Sequence, residues 1–148
     1  MTIETPFGPI LAQVNAAGAL THLKFGAPGA GEDTAENPAV AKQLTEYFAG
    51  QRKEFDLPLA PNGTEFQQRV WKELARIPYG ETISYAELAK RVGSQGAARA
   101  VGRANATNPI AIVVPCHRVI GADGSLTGYA YGVELKRNLL DWERGAFK

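Results

Sequence analysis

The chain has one cysteine, one methionine and two histidines in 148 residues. A single cysteine excludes an internal disulfide and a zinc site built from several cysteines, and it points to a reducing compartment. No apolar run approaches the roughly 20 residues that a membrane-spanning helix needs. The opening Met1-Thr2-Ile3-Glu4-Thr5 lacks the positive start of a signal peptide, so a cytosolic protein is expected. Acid is locally missing as well. None occurs between Glu87 and Asp123, while Lys90, Arg91, Arg99, Arg103 and Arg118 do. Residues 1–63 hold four basic and seven acidic side chains, residues 64–148 twelve and eight, so the net charge of +1 hides two halves of opposite sign. A basic zone in a nearly neutral chain suits a polyanion met by one face; a solvated surface is the plain alternative.

What is present reads as a folded protein, with 45% apolar and 21% charged residues. Ile10, Ala12 and Val14 alternate with polar or small neighbours, Ala16-Ala17-Gly18 can turn, and Leu23 and Phe25 resume the alternation. His22 falls on that strand. A Gly-, Ala- and Pro-rich stretch over 26–36 follows. Asn37-Pro38 then reads as an N-cap with proline in the first turn, and Val40, Leu44, Tyr47 and Phe48 give a helical stripe closed by Gly50. Residues 57–63, with two prolines and a glycine, look like a linker, which sets domains at 1–60 and 61–148.

Beyond the linker the pattern turns helical. Thr64-Glu65-Phe66-Gln67 and Ser84-Tyr85-Ala86-Glu87 both match capping boxes. The first opens a helix with Phe66, Val70, Trp71 and Leu74 on one face, stopped by Pro78; the second opens a helix to about Val92. Gly93-Ser94-Gln95 turns the chain into another helix over 96–106. Leu135, Leu139 and Trp142 mark a last helix, closed by Gly145. Two short helices across a three-residue turn make a helix-turn-helix candidate, a weak signal by itself. At 100° per residue, Ala97, Ala100, Val101 and Ala104 share an inward arc, while Arg99, Gly102, Arg103 and Ala106 face away. Two arginines on a surface so stripped of bulk suit a groove only ~6 Å wide.

The lone cysteine lies in Pro115-Cys116-His117-Arg118, directly after the apolar residues 110–114. An arbitrary free cysteine is usually buried filler. Here a histidine and an arginine adjoin it, and cations favour the attacking thiolate.

Thr82-Ile83-Ser84-Tyr85, Ala97 to Gly102, Asn108-Pro109 and Pro115-Cys116-His117-Arg118-Val119 occur in the order and spacing of a known family. The chain resembles the O6-alkylguanine-DNA alkyltransferases from about Phe66 to Glu143. That resemblance implies an α+β protein: a small amino-terminal β-sheet with a helix (ribonuclease H-like, three strands), then a mostly helical, winged-helix-like domain. It implies direct DNA repair, in which Cys116 takes the alkyl group from O6 of guanine and forms a thioether, once per molecule. O4 of thymine and cooperative binding along DNA are left open.

By the same resemblance His117 acts through a bound water as base towards Cys116, Glu143 orients the imidazole, and Tyr85 donates to the departing guanine. Arg99 is the finger that fills the gap left by an everted nucleotide. Ser94, Ala97, Ala98, Gly102 and Arg103 line the minor groove of alkylated double-stranded DNA. Val119, Tyr129, Ala130 and Tyr131 wall the alkyl pocket, and many members carry glycine where this chain has Tyr131. Asn108 braces the turn between the recognition helix and a cysteine-bearing strand, so its loss should disturb DNA binding and thiol activation together. Arg118 reads as structural. No metal or organic cofactor is needed, since the zinc of some relatives lacks matching ligands here, and the expected form is a monomer. Two other readings compete: a binder of alkylated bases without repair, in which the acceptor cysteine is replaced, and a helix-turn-helix transcription regulator with Cys116 as filler. A Cys–His hydrolase is disfavoured by the lack of an oxyanion-hole signature.

Overall fold

The structure is a computed structural model that describes residues 2–26, 37–93, 97–126 and 129–145. It is α+β and divides into two units. The first comprises Met1–Asn62 with Pro109–Val113, the second Gly63–Asn108 with Val114–Lys148.

In the first unit, β1 (Thr2–Thr5), β2 (Gly8–Val14) and β3 (Leu20–Phe25) form an antiparallel sheet in the order β1-β2-β3. Ile10 pairs with Phe25 and Ala12 with Leu23, and all four are buried, as the alternation requires. Helix α1 (Pro38–Phe48) starts where the Asn37 side chain accepts from the Ala39 N–H, with Pro38 in its first turn. Val40, Leu44 and Tyr47 are fully buried, while Phe48 is half-buried. The stretch 27–36 lies outside the described residues.

Pro109–Val113 was expected with the second domain, but it groups with the first unit. Backbone bonds explain this: the Leu23 N–H donates to the Pro109 carbonyl at 2.8 Å, and the Ala111 N–H donates to the Leu23 carbonyl at 3.0 Å. The apolar run is therefore not one strand leading to the cysteine. Ile112 sits at φ 70°, a left-handed conformation that a β-branched residue adopts only under constraint from its surroundings.

The second unit is mostly helical: α2 (Glu65–Leu74), α3 (Tyr85–Val92), α4 (Ala98–Ala106) and α5 (Val133–Glu143). Two short strands, β4 (Ile83–Ser84) and β5 (Val119–Ile120), pair in parallel. The Thr64 capping box is complete, with reciprocal bonds to Gln67, and Ser84 caps α3 through the Glu87 N–H. Gly93 ends α3 at φ 82°, where a residue with a Cβ would be strained. Buried Trp71 of α2 donates its indole N–H to the Ala104 carbonyl of α4 at 2.8 Å. In α5 the buried line is Lys136, Leu139, Leu140 and Glu143, whereas Leu135 and Trp142 are only half-buried. The helix is thus rotated from the expected stripe, which brings a lysine and a glutamate into the interior.

Candidate active site

Cys116 opens a single 3₁₀ turn, Cys116–Arg118, rather than lying on a strand, and all three residues are buried. Asn108, itself buried, donates from Nδ2 to the Val114 carbonyl at 2.7 Å and is also hydrogen-bonded to the Cys116 thiol. It thus ties the segment after α4 to the turn that carries Cys116. Burial pushes the thiol up, against the pull of the Asn108 bond, the Lys136 charge and the residue's own backbone N–H. At neutral pH the resting sulfur therefore keeps its proton.

Glu143, at the end of α5, gathers the donors around it. His117 Nε2 stands 2.8 Å from Oε2, Arg118 Nε donates to Oε1 and Nη2 to Oε2, both at 2.8 Å. The Gly80 N–H approaches Oε1 at 3.5 Å. Burial opposes ionisation of Glu143, but the His117 bond and the Arg118 fork outweigh it and hold the carboxyl well below the usual range. Arg118 Nη1 also donates to the Ile77 carbonyl at 2.6 Å.

The imidazole is held neutral: burial lowers its basicity more than Glu143 raises it, and Arg118 and Lys136 lower it further. The bond to Glu143 places the ring proton on Nε2. Nδ1 then carries the free lone pair, and among the described residues it is buried without a hydrogen-bond partner. A neutral imidazole with one nitrogen anchored and the other unpartnered has a lone pair able to accept a proton.

The cation expected to favour the thiolate is not the sequence neighbour. Arg118 faces Glu143, and the positive charge felt by Cys116 is that of Lys136, which has no exposed surface. Burial lowers Lys136 to about 8 despite the pull of Cys116. Its Nζ lies 5.7 Å from the centre of the Tyr85 ring.

Tyr85, the first residue of α3, is raised by burial and by the negative charge Cys116 carries once ionised, and lowered by the Asn105 side chain. Tyr129 and Tyr131 meet edge to face, centroids 5.5 Å apart, and both are raised by burial and by Cys116. Val119 is fully buried on β5. The structure thus gathers Tyr85, Tyr129, Tyr131 and Lys136 around the electrostatic reach of one sulfur. Ala130, expected in the pocket wall, is exposed instead, because it sits in the turn between the two packed rings.

On α4, Ala98, Arg99, Arg103 and Ala106 are exposed and Val101 and Ala104 buried; Ala97, Ala100 and Gly102 are intermediate. A Cβ placed on Gly102 meets nothing within 4 Å, so internal packing does not require a glycine there. Ser94, with residues 95 and 96, lies outside the described residues.

Two family models cover the chain: 6-O-methylguanine DNA methyltransferase, DNA binding domain, over residues 65–145, and its ribonuclease-like domain over residues 1–61. The chain belongs to the 6-O-methylguanine DNA methyltransferase family. Within that family it is 51% identical to a methylated-DNA–protein-cysteine methyltransferase of Methanosarcina barkeri, over 95% of this chain and 94% of the relative. A Mycobacterium tuberculosis protein of the same name is 51% identical, over 97% and 90%. Among solved structures, Mycobacterium tuberculosis OGT in complex with DNA matches with a TM-score of 0.89 at 49% identity, covering 99% of this chain and 92% of that one.

Two buried polar residues of this methyltransferase-family site escaped the reading of the sequence: Lys136 and Asn105, 0% and 2% exposed. The signal for Lys136 was available in the i, i+3, i+4, i+7 spacing of Lys136, Leu139, Leu140 and Glu143, masked by the competing stripe of Leu135, Leu139 and Trp142. Asn105 follows Val101 and Ala104 at the i, i+3, i+4 spacing of the buried line of α4, so the same signal was available for it. Among the described residues no helix is long and apolar enough to cross a membrane.

Proposed function

We propose that this chain repairs alkylated DNA directly, moving a methyl or other small alkyl group from O6 of guanine to Cys116, once per molecule. Family membership supports the reaction class. The observation that carries the assignment to Cys116 is the anchored, neutral His117, whose unpartnered Nδ1 belongs to the residue next to a protonated thiol.

His117 takes the thiol proton through a bridging water, and Glu143 holds the ring so that Nδ1 stays the acceptor. The thiolate's electron pair forms the S–C bond while the C–O6 pair stays on the purine. Tyr85 gives a proton to a ring nitrogen, so guanine leaves neutral; the phenolate regains a proton from solvent, to which His117 releases the one it took. A thioether has no easy route back to thiolate, which makes the reaction stoichiometric.

The target atom lies inside a duplex, so the nucleotide must be extruded first. Arg99 fills the gap, and Ala97, Ala98, Gly102, Arg103 and Ser94 lie along the minor groove. Val119, Tyr129 and Tyr131 bound the alkyl group. The protein works as a monomer in the cytoplasm, and its DNA affinity falls with salt. Presence of the acceptor cysteine argues against a non-repairing base binder, and a sequence-specific regulator would not form alkylated protein.

Incubated with a duplex containing O6-methylguanine, each molecule should gain one methyl on the Cys116 peptide by mass spectrometry. Cys116→Ala should abolish transfer and keep DNA binding. Turnover beyond one equivalent would contradict the mechanism. Arg99→Ala should slow repair of duplex more than reaction with a free modified base, and the opposite ranking removes the finger role.

A further inference from the structure

His117 and Glu143 form an imidazole–carboxylate pair whose two side chains are fully buried. Left to itself, such a pair takes up a proton. With a neutral ring it holds one uncompensated negative charge; with an imidazolium it holds none, and burial favours the lower net charge. A ring already protonated cannot take the proton of Cys116. The pair needs a third group that keeps it from filling.

The hydrogen bonds supply that group. Oε2 of Glu143 meets His117 Nε2 and accepts from Arg118 Nη2, both at 2.8 Å, while Oε1 accepts from Arg118 Nε at 2.8 Å. One oxygen thus serves both the ring and a cation. Arg118 is itself fixed from another element: its Nη1 donates to the Ile77 carbonyl just past α2 at 2.6 Å, and its guanidinium lies 5.7 Å from the centre of the Tyr79 ring. A guanidinium keeps its charge at any working pH. Arg118, Glu143 and a neutral His117 therefore sum to zero, and one more proton leaves a buried net charge of +1. The other ionisable groups around the ring do not offset this. Lys136 of α5 is a cation whose charge reaches His117, Cys116 on the same turn is a protonated thiol, and Tyr79 and Tyr129 are neutral phenols. From α2 the buried residues are Val70, Trp71 and Leu74, none of them titratable.

We infer that Arg118 is a positioning residue for the base: its fork pins the Glu143 carboxylate and cancels its charge, so that the carboxylate orients the imidazole without loading it with a proton. The inference rests on the reading of His117 as base towards Cys116.

The chain has two histidines, so the imidazole nitrogen-15 signals of His22 and His117 can be followed separately through a pH titration. In the wild type His117 should stay neutral, with its proton on Nε2, from pH 8 to below the ordinary histidine value of about 6.5. Arg118→Gln leaves a polar side chain beside the carboxylate but removes the charge, and His117 should then be an imidazolium at pH 7. Arg118→Lys restores the charge and should restore the neutral ring. Methylation of Cys116 by an excess of duplex containing O6-methylguanine should follow the ring. Wild-type rates should differ less than about threefold between pH 6 and pH 8, whereas Arg118→Gln should be about 10-fold slower at pH 6 than at pH 8.

Stability gives an independent reading. In Arg118→Gln the folded imidazole holds its proton more tightly than the unfolded one, so its contribution is present below about pH 6.5 and lost as pH rises through the folded value. The variant should therefore resist urea better at pH 6 than at pH 8, the reverse of the wild type, and if it is unfolded at pH 7 it should regain its fold towards pH 6. A neutral His117 at pH 7 in folded Arg118→Gln, an imidazolium at pH 7 in the wild type or in Arg118→Lys, or an Arg118→Gln variant no more stable at pH 6 than at pH 8 overturns the inference. A wild-type protein that gains no methyl defeats the parent reading instead.

Discussion

Arg118 lays its guanidinium on the carboxylate of Glu143 as a fork, Nε to Oε1 and Nη2 to Oε2, each at 2.8 Å. The same carboxylate holds His117, so one glutamate fixes both residues that follow the cysteine. Both partners of the ion pair are nearly or fully buried. Removing Arg118 leaves a buried anion with one partner fewer, and Arg118→Ala should cost about 3–5 kcal/mol of stability, measured by urea unfolding. A loss under about 1 kcal/mol would mean the pair behaves as if solvated.

The cluster also sets an acid limit. Glu143 is held low, so its contribution is present above the ordinary glutamate value of about 4.3 and lost as pH falls through the folded one. His117 is also lowered, so below about pH 6.5 the unfolded imidazole gains a proton that the folded one resists. Stability should decline from about pH 6.5 downward, and His117→Gln should flatten the upper part of that decline. Urea midpoints at several pH values test this; an unchanged slope in the variant counts against the assignment.

Lys136 supplies the positive charge that Cys116 feels. Lys136→Met should raise the thiol further and slow its alkylation by iodoacetamide at neutral pH several-fold, with no DNA present. Equal rates would show that the charge does not reach the sulfur.

Gly102 lies on the arginine-bearing side of α4 with open space where a Cβ would stand. Gly102→Ala should stabilise the fold by about 0.5–1 kcal/mol through helix propensity. Gly102→Leu should fold equally well yet bind duplex DNA at least 10-fold more weakly, if this face enters a narrow groove. Unchanged affinity would move the groove contact elsewhere.

Tyr131 packs edge to face on Tyr129 beside Cys116. A ring there narrows the approach, so methyl transfer should exceed benzyl transfer, and Tyr131→Gly should speed the benzyl reaction selectively. Equal wild-type rates with the two alkyl groups would refute the narrowing.

Much of this was written in local patterns. Capping residues sit beside the backbone groups they serve, so Asn37, Thr64 and Ser84 announced three helix starts directly. Alternation over 10–14 and 23–25 announced β2 and β3, because side chains on a strand have a period of two. The cluster Cys116, His117, Tyr85 and Glu143 came from its likeness to a family, and no spacing rule would have joined Tyr85 to Glu143. What local pattern could not carry was direction and burial. Arg118 follows the cysteine in sequence but serves Glu143, and the charge near the sulfur comes from a helix twenty residues on. The rotation of α5 that buries Lys136 and the pairing of Ile110 with Leu23 were decided by packing. The sequence set which groups were available and where helices and strands begin, since those depend on neighbours in the chain. Only the tertiary structure set which charge meets which, since hydrogen bonds and desolvation act between groups that the chain brings together from far apart.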